Sequence, residues 1–301
     1  MKLAGDESRM SPASKHKSLL LKFFWLCDIL TLMNIILFSE NDIFDKTNQT
    51  YYFKSQDERY KHCKKILRLK VGDEFKAGRV KAEKGCGTIL DFNESFLSFS
   101  FIAEKTENDF LFPIEIILGF PRPIQLKRCL KDLSTLGVQK INLVPTKLGE
   151  ASYLKSDLAN EDAMEKFLLE GASQAGSTLI PKVQVYKSLK NFFAENNFSK
   201  DKTSENSNKD LKIVFDLTEN AKPLYTFLKE QETNFSAKTQ TKHKKIFLSI
   251  GNERGWAEEE RKLFKAMSFN FCSLGRHILK TETAVTTSTA IVLSVLNFWE
   301  N

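Results

Sequence analysis

A succession of short, mostly apolar runs separated by helical patterns is the feature that most constrains the fold of this chain. Such runs occupy residues 112–120, 141–144, 182–186, 212–216 and 246–250. Apolar runs of this length are typical of strands buried on both faces of a sheet. Amphipathic segments at 125–136 and 163–174 separate the first three runs. This alternation predicts an α/β fold with a mostly parallel sheet.

Glycine-containing loops follow two of the predicted strands. The run at 246–250 leads into a turn bounded by Gly251 and Gly255, and a short strand at 269–274 leads into Gly275. Glycine lets the backbone approach a ligand closely or adopt a positive φ. Open α/β sheets bind ligands beyond the carboxyl ends of their strands, so these loops are candidates for a binding site. An ordinary strand-to-helix turn would give the same glycine spacing, and spacing alone does not separate the two interpretations.

Several common chemistries lack their sequence signatures in this chain. No G-x-G-x-x-G motif follows an early strand, and no phosphate-binding lysine loop or serine–histidine–aspartate motif is present. The five cysteines are odd in number, are widely scattered and form no C-x-x-C pair, so neither a zinc site nor a disulfide framework is indicated. The four histidines have no metal-ligand spacing, and we predict no metal site. A reducing cytoplasm is the simplest compartment for such a chain.

The charge of the chain favours a polyanionic partner. The net charge is +7, and the segment from Arg59 to Lys84 holds ten Lys and Arg against three acidic residues. Within it, residues 57–69 form a basic amphipathic helical pattern. Basic side chains gathered on one face would bind phosphates, although a solvated helix face would carry the same charges. The candidate RNA-contacting residues of this segment are Arg59, Lys64, Lys65, Arg68 and Lys70.

The amino-terminal residues have the outline of a targeting segment. Basic residues precede an apolar run from about residue 19 to 38, which resembles a signal peptide or an anchor. Lys22 and Asp28 interrupt the run, and each costs roughly 2.5–3.5 kcal/mol near the centre of a membrane helix. We therefore predict that residues 1–32 are an extension outside the fold, untranslated or disordered, and expect no membrane association. A membrane tether is the alternative.

Three further segments complete the predicted organisation. Residues 191–210 and 232–245 are rich in Asn, Lys, Ser and Thr and are predicted to be mobile surface insertions. Residues 283–299 contain many β-branched residues, but the length of this apolar segment favours a buried helix over a strand.

Two motifs near the carboxyl terminus carry a family resemblance. Residues 250–257 read IGNERGWA and resemble the I-G-P-E-G-G-F/W-S/T loop of the RsmE family, SPOUT-class methyltransferases of small-subunit ribosomal RNA. Residues 274–284 read LGRHILKTETA and resemble the L-G-x-R-I-L-R-x-E-T-A motif of that family. Near the amino terminus, residues 62–73 match its H-x-x-x-V-L-R-x-K-x-G-D motif at most positions.

The resemblance implies a fold and an activity. It implies a SPOUT trefoil-knotted, parallel-sheet α/β domain at residues 110–301, preceded by a small PUA-like β-barrel RNA-binding domain at 33–109. The implied cofactor is S-adenosyl-L-methionine, and the implied reaction is methylation of N3 of a uridine in 16S rRNA of the small ribosomal subunit. A cytoplasmic homodimer is expected, with the carboxyl-terminal helix in the dimer interface.

The resemblance also assigns roles to residues of this chain. A carboxylate is suited to accept the N3 proton or to bind the uracil edge, and a histidine to carry a proton. The candidate catalytic residues are Glu253, Glu282 and His277. The candidate cofactor-binding residues are Leu217, Ile250, Gly251, Gly255, Leu274, Gly275, Ile278, Leu279 and Thr283. Further candidate RNA-binding residues are Arg254, Arg276 and Lys280.

The chain departs from the family pattern within these motifs. Asn252 stands where the family has proline, Arg254 where it has glycine, and His277 and Lys280 where it has arginine. In an upstream K-x-x-E-L-G-V motif, Asp132 stands in the place of the lysine. In the same motif Thr135 replaces the acid, and Ser177 stands where another motif has arginine. An RNA-binding ribosome-assembly module with weakened or lost methyltransferase activity is therefore the alternative function.

Overall fold

A computed structural model describes residues 34–45, 47–105, 109–198, 210–218, 221–231 and 245–300. The predictions for residues 1–32, and for most of the two insertions, lie outside these described residues. None of the helices in the described part of the chain has the length and hydropathy of a membrane span.

The amino-terminal part of the described chain is a six-stranded curled sheet. Its strands are β1 (Ile36–Phe38), β2 (Ile43–Asp45), β3 (Thr50–Lys54), β4 (Glu74–Arg79), β5 (Lys84–Phe92) and β6 (Phe96–Ala103), in the order β1-β4-β5-β6-β3-β2. All neighbours pair antiparallel except β1 and β4. Phe38, Phe53 and Phe99 are fully buried inside the curl. This architecture agrees with the predicted small β-barrel.

The basic segment between β3 and β4 is helical, as its pattern predicts. Helix α1 (Glu58–His62) starts at Asp57, whose carboxylate accepts a hydrogen bond from the backbone of Arg59, and it continues as a wider turn over Cys63–Leu67. Tyr60 and Cys63 bury one side of this segment against the barrel core. Arg68 ends it in the left-handed conformation, with φ of 55°.

The second sheet has seven strands, and every neighbouring pair in it is parallel. The order is β11-β13-β10-β12-β7-β8-β9. The strands are β7 (Phe112–Gly119), β8 (Val138–Val144), β9 (Lys182–Val185), β10 (Leu211–Phe215), β11 (Lys222–Pro223), β12 (Ile246–Ile250) and β13 (Asn270–Ser273). The predicted parallel α/β sheet is thus confirmed.

Helices cover both faces of this sheet. They are α2 (Pro123–Thr135), α3 (Glu161–Ala175), α4 (Leu189–Glu195), α5 (Leu224–Gln231), α6 (Glu258–Ala266) and α7 (Thr281–Val295). Successive side chains of a strand point to opposite faces. Accordingly Ile116 and Leu118 of β7 pack with α2, α3, α5 and α7, while Ile117 packs with α4 and α6. Strands buried in this way need the nearly continuous apolar runs seen in the sequence.

The structure contradicts one sequence prediction for an insertion and confirms the predicted carboxyl-terminal helix. Residues 191–210 were expected to be a mobile insertion, but the first five lie in helix α4, where Phe192 is fully buried and Phe193 nearly so. That prediction was wrong there because two apolar residues in a polar segment are enough to anchor a short helix. The carboxyl-terminal helix is present as α7, which begins at Thr281. The trefoil knot stays a prediction, as does the domain division at residues 109 and 110.

Contacts between the two sheets are specific. Leu37 of β1 and Ile35, the residue just before this strand, pack in the core of the second sheet's helical layer. The backbone N–H of Ile35 donates to the carbonyl of Ser173 on α3 at 3.1 Å, and the Ser173 hydroxyl donates to the carbonyl of Ile35. Thr178, just after α3, donates from Oγ1 to the carbonyl of Ala82 at 2.7 Å. The barrel is therefore fastened to α3 and its following loop.

Candidate functional site

Three loops lie side by side at one edge of the parallel sheet. Strands β13, β10 and β12 are immediate neighbours, so their carboxyl ends meet at the same edge. The loops that follow them contain Leu217, Gly251–Gly255 and Leu274–Lys280. Most of the candidate cofactor residues lie in these loops, while Ile250 is the last residue of β12 and Thr283 lies in the first turn of α7. The strand order brings the three loops together. This is the edge at which open α/β sheets bind ligands.

The loop after β12 is a tight turn that requires glycine. A Cβ atom on Gly251 would lie 2.8 Å from the Cα atom of Gly255, a distance that real Cβ contacts do not reach. Gly255 has a φ of 72°, and its N–H donates to the carbonyl of Asn252 at 2.9 Å. The buried Asn252 side chain in turn accepts from the N–H of Arg254 at 3.0 Å. Asparagine at this position therefore stabilises the turn that proline occupies in the related motif.

The loop after β10 is held by an aspartate that the sequence did not single out. Asp216 Oδ1 accepts from the N–H of Leu217 at 2.7 Å, and Oδ2 accepts from Nε of Arg261 on α6 at 2.7 Å. The Asp216 side chain is only 8% exposed, whereas Leu217 is 57% exposed. The hydrogen bond to Asp216 raises the pKa of Arg261. The pair fixes the backbone of the first loop and leaves the Leu217 side chain free at the surface.

The loop after β13 is exposed and contains no regular structure. Gly275 has a φ of 118°, a conformation open to glycine and strained for other residues. Arg276 and His277 are exposed, and Ile278 is 84% exposed. Such an apolar side chain in solvent, beside two glycine turns, is suited to cover a bound ligand.

Glu253 binds the amino-terminal end of helix α2. Its Oε1 accepts from the N–H of Arg122, the residue that precedes Pro123 at the start of the helix, at 2.9 Å. A carboxylate here also interacts favourably with the helix dipole. The sequence predicted Glu253 as a catalytic candidate but gave no sign of its contact with α2, which lies 131 residues earlier in the chain.

Glu282 lies in the first turn of α7 and pairs with the same helix. Its Oε1 accepts from Nη1 of Arg128 at 3.0 Å, and its side chain is 12% exposed. Its other oxygen, Oε2, is buried and has no hydrogen-bond partner among the described residues. A buried acceptor without a partner costs free energy, so Oε2 is a site at which a ligand donor would bind favourably.

Helix α2 therefore holds both candidate carboxylates. Arg122 and Arg128 are six residues apart, which is about 9 Å along an α-helix. Cys129, the residue after Arg128 in this helix, has a buried thiol. Burial raises the pKa of Cys129, and the charges of Glu282, Asp132 and Glu253 raise it further.

Buried polar atoms without partners concentrate at the same edge of the sheet. Besides Glu282 Oε2, the described residues include Ser249 Oγ near the end of β12, Thr146 Oγ1 just after β8 and Gln125 Oε1 in the first turn of α2. Native structures leave few such groups unpaired, and those that remain commonly mark ligand sites. Together with the tight glycine turns, these atoms fit a polar cofactor that is bound mostly through backbone groups.

The predicted RNA-binding residues fall into two groups. Lys65, Arg68 and Lys70 are exposed on the segment around α1, and Arg276 and Lys280 are exposed beside the glycine loops. The others already have protein partners. Lys64 pairs with Glu94 at 3.0 Å, Arg254 pairs with Glu150 at 2.5 Å, and Arg59 is held by Asp42 and Asp57.

Arg59 has a structural role in the barrel. Its guanidinium donates to both aspartates and to the carbonyl of Leu37, and it lies 4.1 Å from the centroid of the Phe53 ring. These bonds raise its pKa against the opposing effect of burial. Because its donors are used within the protein, we leave Arg59 out of the RNA surface proposed below. No group of His, Cys, Asp and Glu in the described residues is placed to hold a metal ion.

Comparisons with known proteins agree with this geometry. A family model described as an RNA methyltransferase domain matches residues 107–293. Ribosomal RNA small subunit methyltransferase E of Treponema pallidum is 35% identical over 269 residues, covering 89% of this chain and 93% of the relative. Ribosomal RNA small subunit methyltransferase E 1 of Borreliella burgdorferi is 31% identical, covering 88% of this chain and 99% of the relative.

Solved structures of the same fold have been found bound to a cofactor. A ribosomal RNA small subunit methyltransferase E from Neisseria gonorrhoeae, bound to S-adenosylmethionine, superposes with a TM-score of 0.61 at 16% identity, covering 87% of this chain and 98% of that chain. A putative methyltransferase from Legionella pneumophila, in complex with the same cofactor, has a TM-score of 0.64 at 17% identity, covering 86% and 97%. At these identities the likeness concerns the fold.

The parallel sheet with its clustered loops and the matching family model define an RNA methyltransferase domain as the class of this protein. The length and identity of the curated matches then settle the family. The chain belongs to the ribosomal RNA small subunit methyltransferase E family. The predicted family and fold class are thereby confirmed.

Proposed function

We propose that this protein transfers the methyl group of S-adenosyl-L-methionine to N3 of a uridine in 16S rRNA of the small ribosomal subunit. The observation that carries the proposal is the convergence of three loops on adjacent strands, next to two carboxylates held by one helix. The relatives named for small-subunit rRNA methylation support the substrate class. The atom N3 and the choice of uridine rest on the motif resemblance. A ribosomal substrate would place the reaction in the cytoplasm.

The cofactor would lie against the three loops. Backbone groups of Leu217, Ile250 and Gly251 would hold one side, and Leu274, Ile278 and Leu279 would supply the other. Gly255, Gly275 and Thr283 would shape the ends of these segments. S-adenosylmethionine supplies an electrophilic methyl group on a sulfonium. The chain must therefore orient the acceptor in line with that group and exclude water, which the exposed apolar loop residues favour.

The uracil base needs a proton acceptor. N3 loses its proton as it gains the methyl carbon, while the electrons of the broken carbon–sulfur bond stay on sulfur. Glu282 is the better placed carboxylate, because Oε2 is buried without a partner. Glu253 has one oxygen bound at the start of α2 and serves to fix the loop and to orient the base. His277 is exposed and is suited to contact RNA or to pass the proton to solvent.

RNA would bind across the exposed basic residues. Lys65, Arg68 and Lys70 would contact phosphates on the barrel, and Arg276 and Lys280 would do so at the loops, as each is exposed. Lys64 and Arg254 would join after exchanging their glutamate partners for phosphate. We further propose a homodimer, in which a partner copy packs against α7.

The test is methyl transfer to purified 30S subunits that lack the modification, followed by mass spectrometric mapping of 16S rRNA. We expect one methyl group, on N3 of one uridine, and saturable binding of S-adenosylmethionine by calorimetry. Binding of RNA without binding of the cofactor would instead support the assembly module. A methyl group at another atom or base would refute the N3 assignment while leaving the enzyme class intact.

A further inference from the structure

Two rungs of contacts join helices α2 and α7. In the first rung Arg128 of α2 pairs with Glu282 of α7 at 3.0 Å. In the second rung, one turn further along both helices, Thr286 Oγ1 lies 2.9 Å from Asp132 Oδ2 and 2.9 Å from the carbonyl oxygen of Glu282, and its single proton can be donated to either acceptor. Residues four apart share one face of a helix. The two helices therefore run in the same direction, with charge at the first rung and a neutral donor at the second.

The two carboxylate oxygens of Glu282 differ in their hydrogen bonding. Oε1 accepts a hydrogen bond from Nη1 of Arg128, and this is the contact that orients the Glu282 carboxylate. Oε2 is left buried without a partner among the described residues. The Arg128 side chain is 56% exposed, so its burial adds little to the fold, whereas the carboxylate it binds is 12% exposed. The contact thus orients the acid rather than filling the core.

From these contacts we propose that Arg128 is the positioning residue for Glu282. It fixes Oε1 and thereby presents Oε2 to the N–H donor of the uracil base. It also supplies, one turn earlier on the same helix face, the positive charge that the related motif has as lysine at the place of Asp132. In this chain the positive charge lies one helical turn earlier, at Arg128, and Asp132 can accept a hydrogen bond from Thr286. This inference rests on the proposed methyl transfer.

The first experiment is a double-mutant cycle with Arg128→Gln and Glu282→Gln, measured as steady-state methylation of 30S subunits at saturating S-adenosylmethionine. We expect each single variant to lower kcat on the order of 10²-fold, the usual cost of a misplaced group, with the Kd for S-adenosylmethionine within about twofold of wild type. The double variant should lose no more than Glu282→Gln alone, because Arg128 acts through Glu282. Losses that multiply would overturn the proposal.

The second experiment tests whether a lysine at position 132 can replace the positive charge of Arg128. Asp132→Lys is added to Arg128→Gln, and kcat should recover about tenfold or more relative to Arg128→Gln alone. No recovery would overturn the proposal that a positive charge on this face positions Glu282. Lys127→Gln is the matched control, since Lys127 is a neighbouring cation of α2 that lies over the Phe167 ring and does not touch Glu282. Its kcat should equal that of wild type.

The proposal and the proposed function fail in different ways. An inactive wild-type protein on unmodified 30S subunits refutes the methyl transfer itself. A fully active wild-type protein together with a fully active Arg128→Gln variant refutes only the positioning role. Melting temperatures of all variants are measured in parallel, so that a loss of folded protein is not read as a loss of kcat.

Discussion

Single atoms decide how closely the backbone of the site can pack. The space next to Gly251 is filled by the backbone of Gly255, because a Cβ atom would lie 2.8 Å from the Cα and 2.9 Å from the carbonyl carbon of that residue. Neighbouring Asn252 tolerates its place because its side chain accepts a backbone N–H and its backbone carbonyl accepts another. Asn252 departs from the proline of the related motif but is compatible with this turn. At position 251, by contrast, only glycine fits.

At this scale we predict that Gly251→Ala weakens binding of S-adenosylmethionine by tenfold or more, on the order of 1.4 kcal/mol. The added methyl group must push the turn apart, and backbone cannot move aside as a flexible side chain can. Calorimetric titration measures the loss. Gly176→Ala is the control, because Gly176 has a φ of 67° but open space around it and ends α3. That variant should lower the melting temperature and leave the Kd unchanged; equal Kd values for both variants would contradict the prediction.

One ion pair between helix α6 and Asp216 positions the loop that follows β10. Helix α6 begins just after the glycine turn, and its Arg261 reaches Asp216 at the end of β10. A single helix therefore connects the loop after β12 with the loop after β10. The carboxylate of Glu260, on the same helix, also accepts the N–H groups of Ala257 and of Lys147. Helix α6 thus contacts the loops that follow β10, β12 and β8 at this edge of the sheet.

We predict that Arg261→Gln raises the Kd for S-adenosylmethionine several-fold, because Asp216 then loses the partner that fixes the backbone at Leu217. The free energy of unfolding should fall by about 1–3 kcal/mol, since a mostly buried carboxylate is left without its partner. Calorimetry and urea unfolding give the two values. Glu258→Gln is the control: Glu258 touches Arg261 only at 3.7 Å and is exposed. A Kd that is equally raised in the control would argue against the loop-fixing role.

Much of the order of strands and helices could be predicted from the sequence. The side-chain contacts between distant elements could not. Apolar runs mark strands because burial on both faces demands them, and glycine turns mark the loops beyond those strands. The pairing of Arg128 with Glu282 spans 154 residues and depends on which helix packs against which. No local pattern encodes such a contact. The prediction of a mobile insertion at residues 191–210 failed for a different reason. The segment is mostly polar, but its two aromatic residues, Phe192 and Phe193, are buried and anchor α4.

In the whole molecule, Asp109 is a further link between the β-barrel and the parallel sheet. Burial would raise the pKa of this carboxyl, but hydrogen bonds from Ser177, Lys84 and the N–H of Thr178 outweigh burial and hold the pKa below its usual 3.8. Lys84 belongs to β5 of the barrel, whereas Ser177 and Thr178 follow α3. One carboxylate thus joins strands of the first sheet to the helical layer of the second.

We predict that Asp109→Asn destabilises the protein at neutral pH and that the difference from wild type disappears in acid. A folded-state pKa below the unfolded value gives stability that is present above pH 3.8 and is lost as the pH falls through the folded pKa. Melting temperatures from pH 7 down to about pH 3 measure this convergence. Glu104→Gln is the control, as Glu104 is an exposed acid in the same connection. A pH-independent difference for Asp109→Asn would contradict the linkage.

Helix α2 sets the spacing between the two carboxylates of the site, although neither of their motifs includes it. Glu253 is tied to the N–H of Arg122 and Glu282 to the side chain of Arg128, so the separation is counted in residues of a regular helix. Substitutions at loop positions other than the glycines and Glu253 therefore leave that separation unchanged. One residue inserted between these two arginines would turn Arg128 by about 100° around the helix and carry it away from α7. Because helix α2 sets this separation, the site tolerates many side-chain substitutions in its loops. For the same reason it does not tolerate a change in the length of α2.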